Sequence, residues 1–343
     1  MDRQTARKLL ERIKPFFFVL FLSTVLVCSC NKAEQKPLKM VFYPNESSES
    51  MKDARAAFQE ILKEAVGRDV EILTTTDYNI ALEALVSGKA DMAYVGAEGY
   101  LTAHKRNSAV IPIATNSGPS GTLDDAKYYS FIGVQRKAAD IYKKADGSFD
   151  LSLLHGKRMS FVAASSTSGF VIPARVLADV FSLDNTDDLI LSDKVFSKVL
   201  FAGSHQGSQV NLFRGDVDAA AFAIPQTIGV YDLLEGENYR TGAVYRVTVG
   251  ADEPFTSFAG SEITVIRSIP VLNAPITVNT NTVSASDIQK IRDALTSDKT
   301  ANNPGIFNVK DSGKKGIYPK YSEKTRLVAT DDAWYDELRD STK

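Results

Sequence analysis

The sequence predicts an α/β fold with mainly parallel sheets. Short β-rich runs alternate with helical patterns from Leu38 onward, as strand–helix–strand architectures require. Glycines fall where helical patterns stop and strands begin. The 343 residues, 44% of them hydrophobic, suffice for about two domains with cores of their own.

The elements follow in order. Residues 38–43 (LKMVFY) form a β-rich run. Ala54, Ala57, Phe58, Ile61, Leu62 and Ala65 recur at helical spacing, and Gly67 suits the C-terminal cap. Residues 70–75 read as a strand, 79–88 as a helix ended by Gly88, and 91–96 as a strand. Further strands are expected at 109–114 and 128–134. The theme then repeats as strand 158–163, helix 169–181, strand 198–203, helix 208–215 and strand 218–224. Strands at 244–249, 262–268 and 274–280 precede a helix over 284–297, with Ser286 as a cap. One internal echo stands out. ALVSGKADMAYVG (84–96) resembles NLFRGDVDAAAFA (211–223), each a helix, a glycine, an aspartate and a buried strand. Two similar lobes built from one unit would explain it.

The 40 basic residues are balanced by 42 acidic ones, so no charge surplus points to nucleic acid and no charged run to a disordered tail. The N-terminus differs. Arg3, Arg7, Lys8, Arg12 and Lys14 precede an apolar run, Phe16 to Val27. That run is shorter than the ~20 residues of a membrane-spanning helix and fits a secretory signal. Both cysteines of the chain lie at its end. Val27-Cys28-Ser29-Cys30 resembles a bacterial lipoprotein signal with Cys30 lipidated, and a register ending at Cys28 stays open. Residues 1–30 are thus expected to be a lipoprotein signal peptide and 31–37 a polar tether.

Three strand–helix turns could carry chemistry. In VAASSTSGF (162–170), hydroxyls precede a glycine and a helix. Free N–H groups and the helix dipole favour an anion there, and Ser166, Thr167 and Ser168 add three donors. A Walker A lysine is missing, which disfavours nucleotide hydrolysis. In FAGSHQGSQ (201–209), His205 opens the next helix and can donate from a ring nitrogen. In TTTDYNIALEAL (74–85), Asp77 caps a helix and leaves Tyr78 at its mouth. All three lie beyond strand carboxyl ends, where open α/β sheets bind ligands. HExxH, GxSxG, GxGxxG and Cys/His metal spacings are absent, so an enzyme, a metal site and a cofactor are not expected.

Together TDYNIALEAL, SGKADMAYVG, YYSFIGVQRK, LHGKRMSFVAASSTSG, LFAGSH, RGDVDAA and VIRSIPVLNAPITV resemble the substrate-binding lipoproteins of phosphate/phosphite/phosphonate ABC transporters. The resemblance implies a type II periplasmic-binding-protein fold, two Rossmann-like α/β lobes joined by a two-strand hinge. It implies lobe 1 at 38–128 plus 245–343 and lobe 2 at 129–244. It implies a small anionic ligand, a phosphorus oxyanion, held by Ser166, Thr167 and Ser168, reached by His205 and Tyr78, and by Tyr129 from the hinge, with Tyr128 competing for that place. It further implies a monomer, lipid-anchored to the membrane outside the cytoplasm, delivering ligand to an ABC permease and ATPase. Two departures bear on the ligand. Ala223-Ile224-Pro225-Gln226 holds no acid for an amine, and Ala274 stands where a polar residue is common. A small anion or one with an apolar substituent fits better than an aminophosphonate. A sulfonate or vitamin-precursor binder, or a sensor or adhesin lipoprotein without transport, stays open.

Overall fold

Strands β1 (Leu38–Phe42), β2 (Val70–Leu73), β3 (Met92–Tyr94) and β4 (Val110–Asn116) begin a first sheet in the computed structural model. Seven more build a second sheet: β5 (Lys127–Gln135), β6 (Arg158–Phe161), β7 (Lys198–Phe201), β8 (Ala219–Phe222), β9 (Tyr231–Glu235), β10 (Val244–Val247) and β11 (Glu262–Leu272). β12 (Pro275–Asn279) returns to the first sheet, β13 (Phe307–Asn308) pairs with β14 (Tyr318–Pro319), and β15 (Leu327–Ala329) completes the first sheet at six strands. Residues 36–44, 51–224, 230–309 and 311–340 are described. The signal peptide, Cys30 and most of the tether lie outside them, as do Pro225 and Gln226. Among the described residues no helix is long and apolar enough to cross a membrane.

The strand orders are β15-β4-β12-β3-β1-β2 and β7-β6-β8-β5-β11-β10-β9. The sheets are mixed, which corrects the expectation of mainly parallel ones. Within these two sheets parallel pairing is confined to β1 with β2 and β3, and to β6 with β7 and β8. There a helix lies between successive strands. β12 and β5 enter from the other sheet without such a crossover and pair antiparallel, β12 with β3 and β5 with β8.

The internal echo has a structural counterpart. Gly88 and Gly215 both take left-handed φ, +73° and +76°, ending α2 (Tyr78–Val86) and α5 (His205–Arg214). Three residues later an aspartate reaches across to the adjacent parallel strand. Asp91 accepts from the Lys39 N–H at 2.8 Å and its own N–H donates to the Lys39 carbonyl. Asp218 treats Arg158 the same way, at 2.9 Å for each bond. One αβ corner, with one aspartate locking one register, is used in each lobe.

The chain crosses between the sheets twice, through 117–126 and through Asn273–Ala274. Val244–Val247 and Glu262–Leu272 are strands of the second sheet, so the return to the first comes at Pro275 and not at the expected 245. The long β5–β11 pairing, from Gln135 opposite Ile263 to Lys127 opposite Leu272, holds them there. The Thr115 hydroxyl donates to the Ala274 carbonyl at 3.0 Å, and the Asn273 amide donates to the Asn116 carbonyl at 2.7 Å. The two crossings are therefore tied to each other.

Side chains alternate along β1. Leu38, Met40 and Phe42 face a core shared with α1 (Lys52–Val66) and α6 (Ala285–Leu295). Val41 and Tyr43 face another, which also takes Val162 and Ile172 of the second lobe. Apolar packing thus runs across the cleft. Two caps are worth naming. The α6 cap is Ser284, whose hydroxyl accepts from the Asp287 N–H at 3.1 Å, and not Ser286. Asp77 caps α2 as expected, accepting from the Asn79 and Ile80 N–H groups at 2.7 and 3.1 Å. An Asp77→Ala protein should lose about 1 kcal/mol, seen as a fall of a few degrees in Tm. An unchanged melting curve would show that water replaces the cap without cost.

Candidate functional site

A cavity of about 140 Å³ lies between the lobes, where the three strand–helix turns meet. That is close to the volume of an engineered pocket able to hold benzene. Of the sequence-predicted residues, Tyr78, Ser166, Thr167, Ser168 and His205 line it, and Tyr129 does not.

Thr167 and Ser168 belong to a single π turn, Thr167–Val171, leading into α4 (Ile172–Phe181). The Ser166 hydroxyl caps it, accepting from the Gly169 N–H at 3.2 Å, so its own proton is free to be donated. The turn packs so closely on Val162, the residue after β6, that a Cβ at Gly169 would stand 2.3 Å from its Cγ2. No acceptor among the described residues takes the N–H of Thr167 or of Ser168. These are first-turn groups, oriented by the helix for an anion. Ser165 stands outside the lining.

Thr167 also joins the lobes. Its hydroxyl accepts from the Glu98 N–H at 2.9 Å, in the first turn of α3 (Ala97–Arg106), a helix the sequence pattern did not reveal. The hydroxyl's one proton then remains for the cavity. The α3 cap, Gly96, has no side chain, and a Cβ there would lie 2.6 Å from Thr167 Oγ1. Beside this bond Arg175 of α4 meets Glu98 at 3.5 Å. Burial raises the Glu98 pKa and lowers that of Arg175, each offset by the other's charge.

His205 is the first residue of α5, capped by Ser204, and is 7% exposed. Its Nδ1 accepts from the Ala223 N–H at 3.0 Å. A backbone N–H can only donate, so Nδ1 is bare and the ring proton sits on Nε2. Burial lowers the pKa to about 4, which keeps the ring neutral. The imidazole is thus a fixed neutral donor.

Strand alternation decides between the two hinge tyrosines. Tyr128 lines the cavity beside Ser168. Burial pushes the Tyr128 hydroxyl up to about 12. Ser130, two residues on, donates to the Ser168 carbonyl at 2.7 Å. Tyr129 points to the other face, which corrects its assignment to the site. It packs parallel to Tyr239 at 5.7 Å, with the Arg240 guanidinium 5.5 Å from its ring centre.

The remaining lining was not foreseen, apart from Ala274 and the Ala223–Ile224 edge. Tyr43 and Tyr94 belong to it, Asn116 ends β4, Asn273 lies in a hinge crossing, and Met51, Ile317 and Pro319 are apolar. No Asp, Glu, Lys or Arg lines the cavity among the described residues, and no cluster there could hold a metal ion. The lining combines neutral donors with apolar side chains.

Similarity to known proteins agrees with this architecture. The chain is 27% identical over 176 residues to the phosphate-import protein PhnD of Mycolicibacterium smegmatis, a match spanning 51% of each. The chain therefore matches about half the length of that curated relative. The binding-protein component of a Pseudomonas aeruginosa ABC phosphonate transporter shares the fold with a TM-score of 0.61 at 17% identity, over 90% of this chain and 86% of that one. PhnD1 of Prochlorococcus marinus, solved with methylphosphonate, does so with a TM-score of 0.61 at 16% identity, over 89% and 97%. The profile of a family described as "ABC transporter, phosphonate, periplasmic substrate-binding protein" matches residues 40–335, the span that builds both sheets and the cleft, and the chain belongs to that family.

Proposed function

We propose that this chain is the solute-binding component of an ABC importer and captures a small phosphorus oxyanion in the interlobe cavity. The observation that carries this reading is the neutral cradle. Three hydroxyls at the head of α4, two first-turn N–H groups and the His205 Nε2–H converge on a space of about 140 Å³. Each hydrogen bond to a charged oxygen contributes roughly 1.5–3 kcal/mol, so four or five hold an anion without a counter-charge. The apolar lining residues Met51, Ile224, Ala274 and Ile317 favour a small alkyl substituent, and the lining offers an ammonium group no carboxylate.

Capture follows from the lobes' meeting at Thr167. Ligand oxygens bound at Ser166–Ser168 favour the arrangement in which Thr167 accepts from Glu98. Contacts available only in the closed state shift the population towards it. The role is capture and delivery to a permease and ATPase, not catalysis. Anchoring through Cys30, outside the cytoplasm and as a monomer, rests on the Val27–Cys30 motif and the family.

Two outcomes follow. In Thr167→Val, one ligand bond and one interlobe bond are lost, so calorimetry should show about 100-fold weaker binding of methylphosphonate. Combined with His205→Ala, binding should fall below detection in a protein that still folds. Unchanged affinity would sink the assignment of the cradle. The second outcome concerns pH. The folded His205 pKa, about 4, lies below its ordinary 6.5. Its contribution to stability is therefore complete above pH 6.5 and is lost as pH falls towards 4. His205→Gln should flatten that part of the unliganded protein's stability profile by up to about 3 kcal/mol. Urea unfolding at pH 7 and 4.5 measures it, and parallel profiles would contradict a neutral buried imidazole.

A further inference from the structure

We propose that Lys315 and Asp252 form a salt-sensitive clasp between the lobes, one that parts when the cleft opens for ligand exchange. A second, larger groove of about 830 Å³ borders the ligand cavity, and Tyr43 and Met51 line both. Its walls come from the two lobes. Thr74, Thr75 and Thr76 follow β2, while Ala202, Gly203 and Ser204 join β7 to α5. A parting of the lobes would widen this groove and open the cavity beside it.

Lys315 and Asp252 line the same groove from opposite sides. Lys315 lies between β13 and β14, whose Phe307 and Tyr318 pack in the core under the first sheet. Asp252 lies between β10 and β11 of the second sheet. The Lys315 ammonium meets Asp252 Oδ2 in a direct ion pair. Each partner is held by its own lobe. The Lys315 N–H donates to Asp53 Oδ2 at 2.9 Å, in the first turn of α1. The Asp252 carbonyl accepts from the Phe255 N–H at 2.9 Å, and Ala251 and Phe255 share a buried cluster with Val210 of α5. With both backbones anchored, the pair closes only at one separation of the lobes. Both side chains are exposed. Parting therefore strands no buried charge, and dissolved salt screens the attraction.

Release of methylphosphonate and, separately, of inorganic phosphate is followed by phosphorus NMR exchange spectroscopy. The proteins compared are the unaltered chain, Lys315→Met, Asp252→Asn and the double variant. This arm rests on the oxyanion reading of the cavity. Each single variant should release the probe about two- to fivefold faster, and the double variant no faster than either. Added salt should quicken release from the unaltered protein more than from the variants. Rates equal to those of the unaltered protein, or effects that add in the double variant, overturn the clasp and leave the cavity's assignment standing. A second arm needs no ligand. Asp252→Lys sets two like charges face to face, so at low salt its radius of gyration by small-angle scattering should exceed that of the unaltered protein. Equal radii overturn the clasp. If the unaltered protein binds neither probe, the oxyanion reading falls, and the scattering arm decides the clasp by itself.

Discussion

The bond from the Glu98 N–H to Thr167 Oγ1 is where the two lobes become one site. A helix needs its first N–H groups satisfied. The cap residue of α3, Gly96, has no side chain for the task, and the acceptor comes from the other lobe. The same hydroxyl faces the cavity with its remaining proton. One side chain therefore caps a helix of lobe 1, belongs to the cradle of lobe 2 and touches the ligand space. Gly96 follows as a requirement, since any larger residue would displace Thr167.

The cavity's neutrality shapes the rest. A charged side chain buried there would need its own partner in the unliganded protein, at considerable cost. Neutral donors avoid this. Ser166 is already employed as a cap and His205 is fixed by Ala223, yet each retains a proton for the cavity. The protein's own hydrogen bonds thus fix the lining, and in the proposed function a ligand's bonds would add to that network. The one charge pair nearby, Glu98 with Arg175, stands behind Thr167 instead of in the lining.

Much of this was legible in the sequence, because strand–helix turns announce themselves locally. The hydroxyl loop, His205 at a helix start and Asp77 as a cap all follow from a few adjacent residues. The echo between 84–96 and 211–223 signalled a repeated corner, and Asp91 and Asp218 make the same bonds in each copy. What escaped depends on register or on distant partners. Tyr128 and Tyr129 are both plausible until β5 pairs with β11 and Ser130 finds Ser168. The α3 helix carries Gly99 in its interior and lacks a side-chain cap, so its local signals are weak. Strands β10 and β11 were given to the wrong lobe because pairing with β5, more than a hundred residues upstream, decides the matter.

The strength of the interlobe latch bears on how such a protein can both hold and release. A hydrogen bond to a neutral hydroxyl is worth about 1 kcal/mol, and a partly exposed ion pair such as Glu98–Arg175 contributes roughly as little. Val162 and Ile172 add apolar contact across the cleft. Taken alone these terms are a modest bias towards closure. In the proposed capture, ligand bonds to Ser166–Ser168 and His205 would add to that bias only while the site is occupied. A lysine in the cradle would raise affinity through charge, but it would also repel the neighbouring Arg175 and leave an uncompensated cation in the empty cavity. Under the proposed function, hydroxyls and helix ends would hold the anion without such a cation and leave closure to depend on its presence.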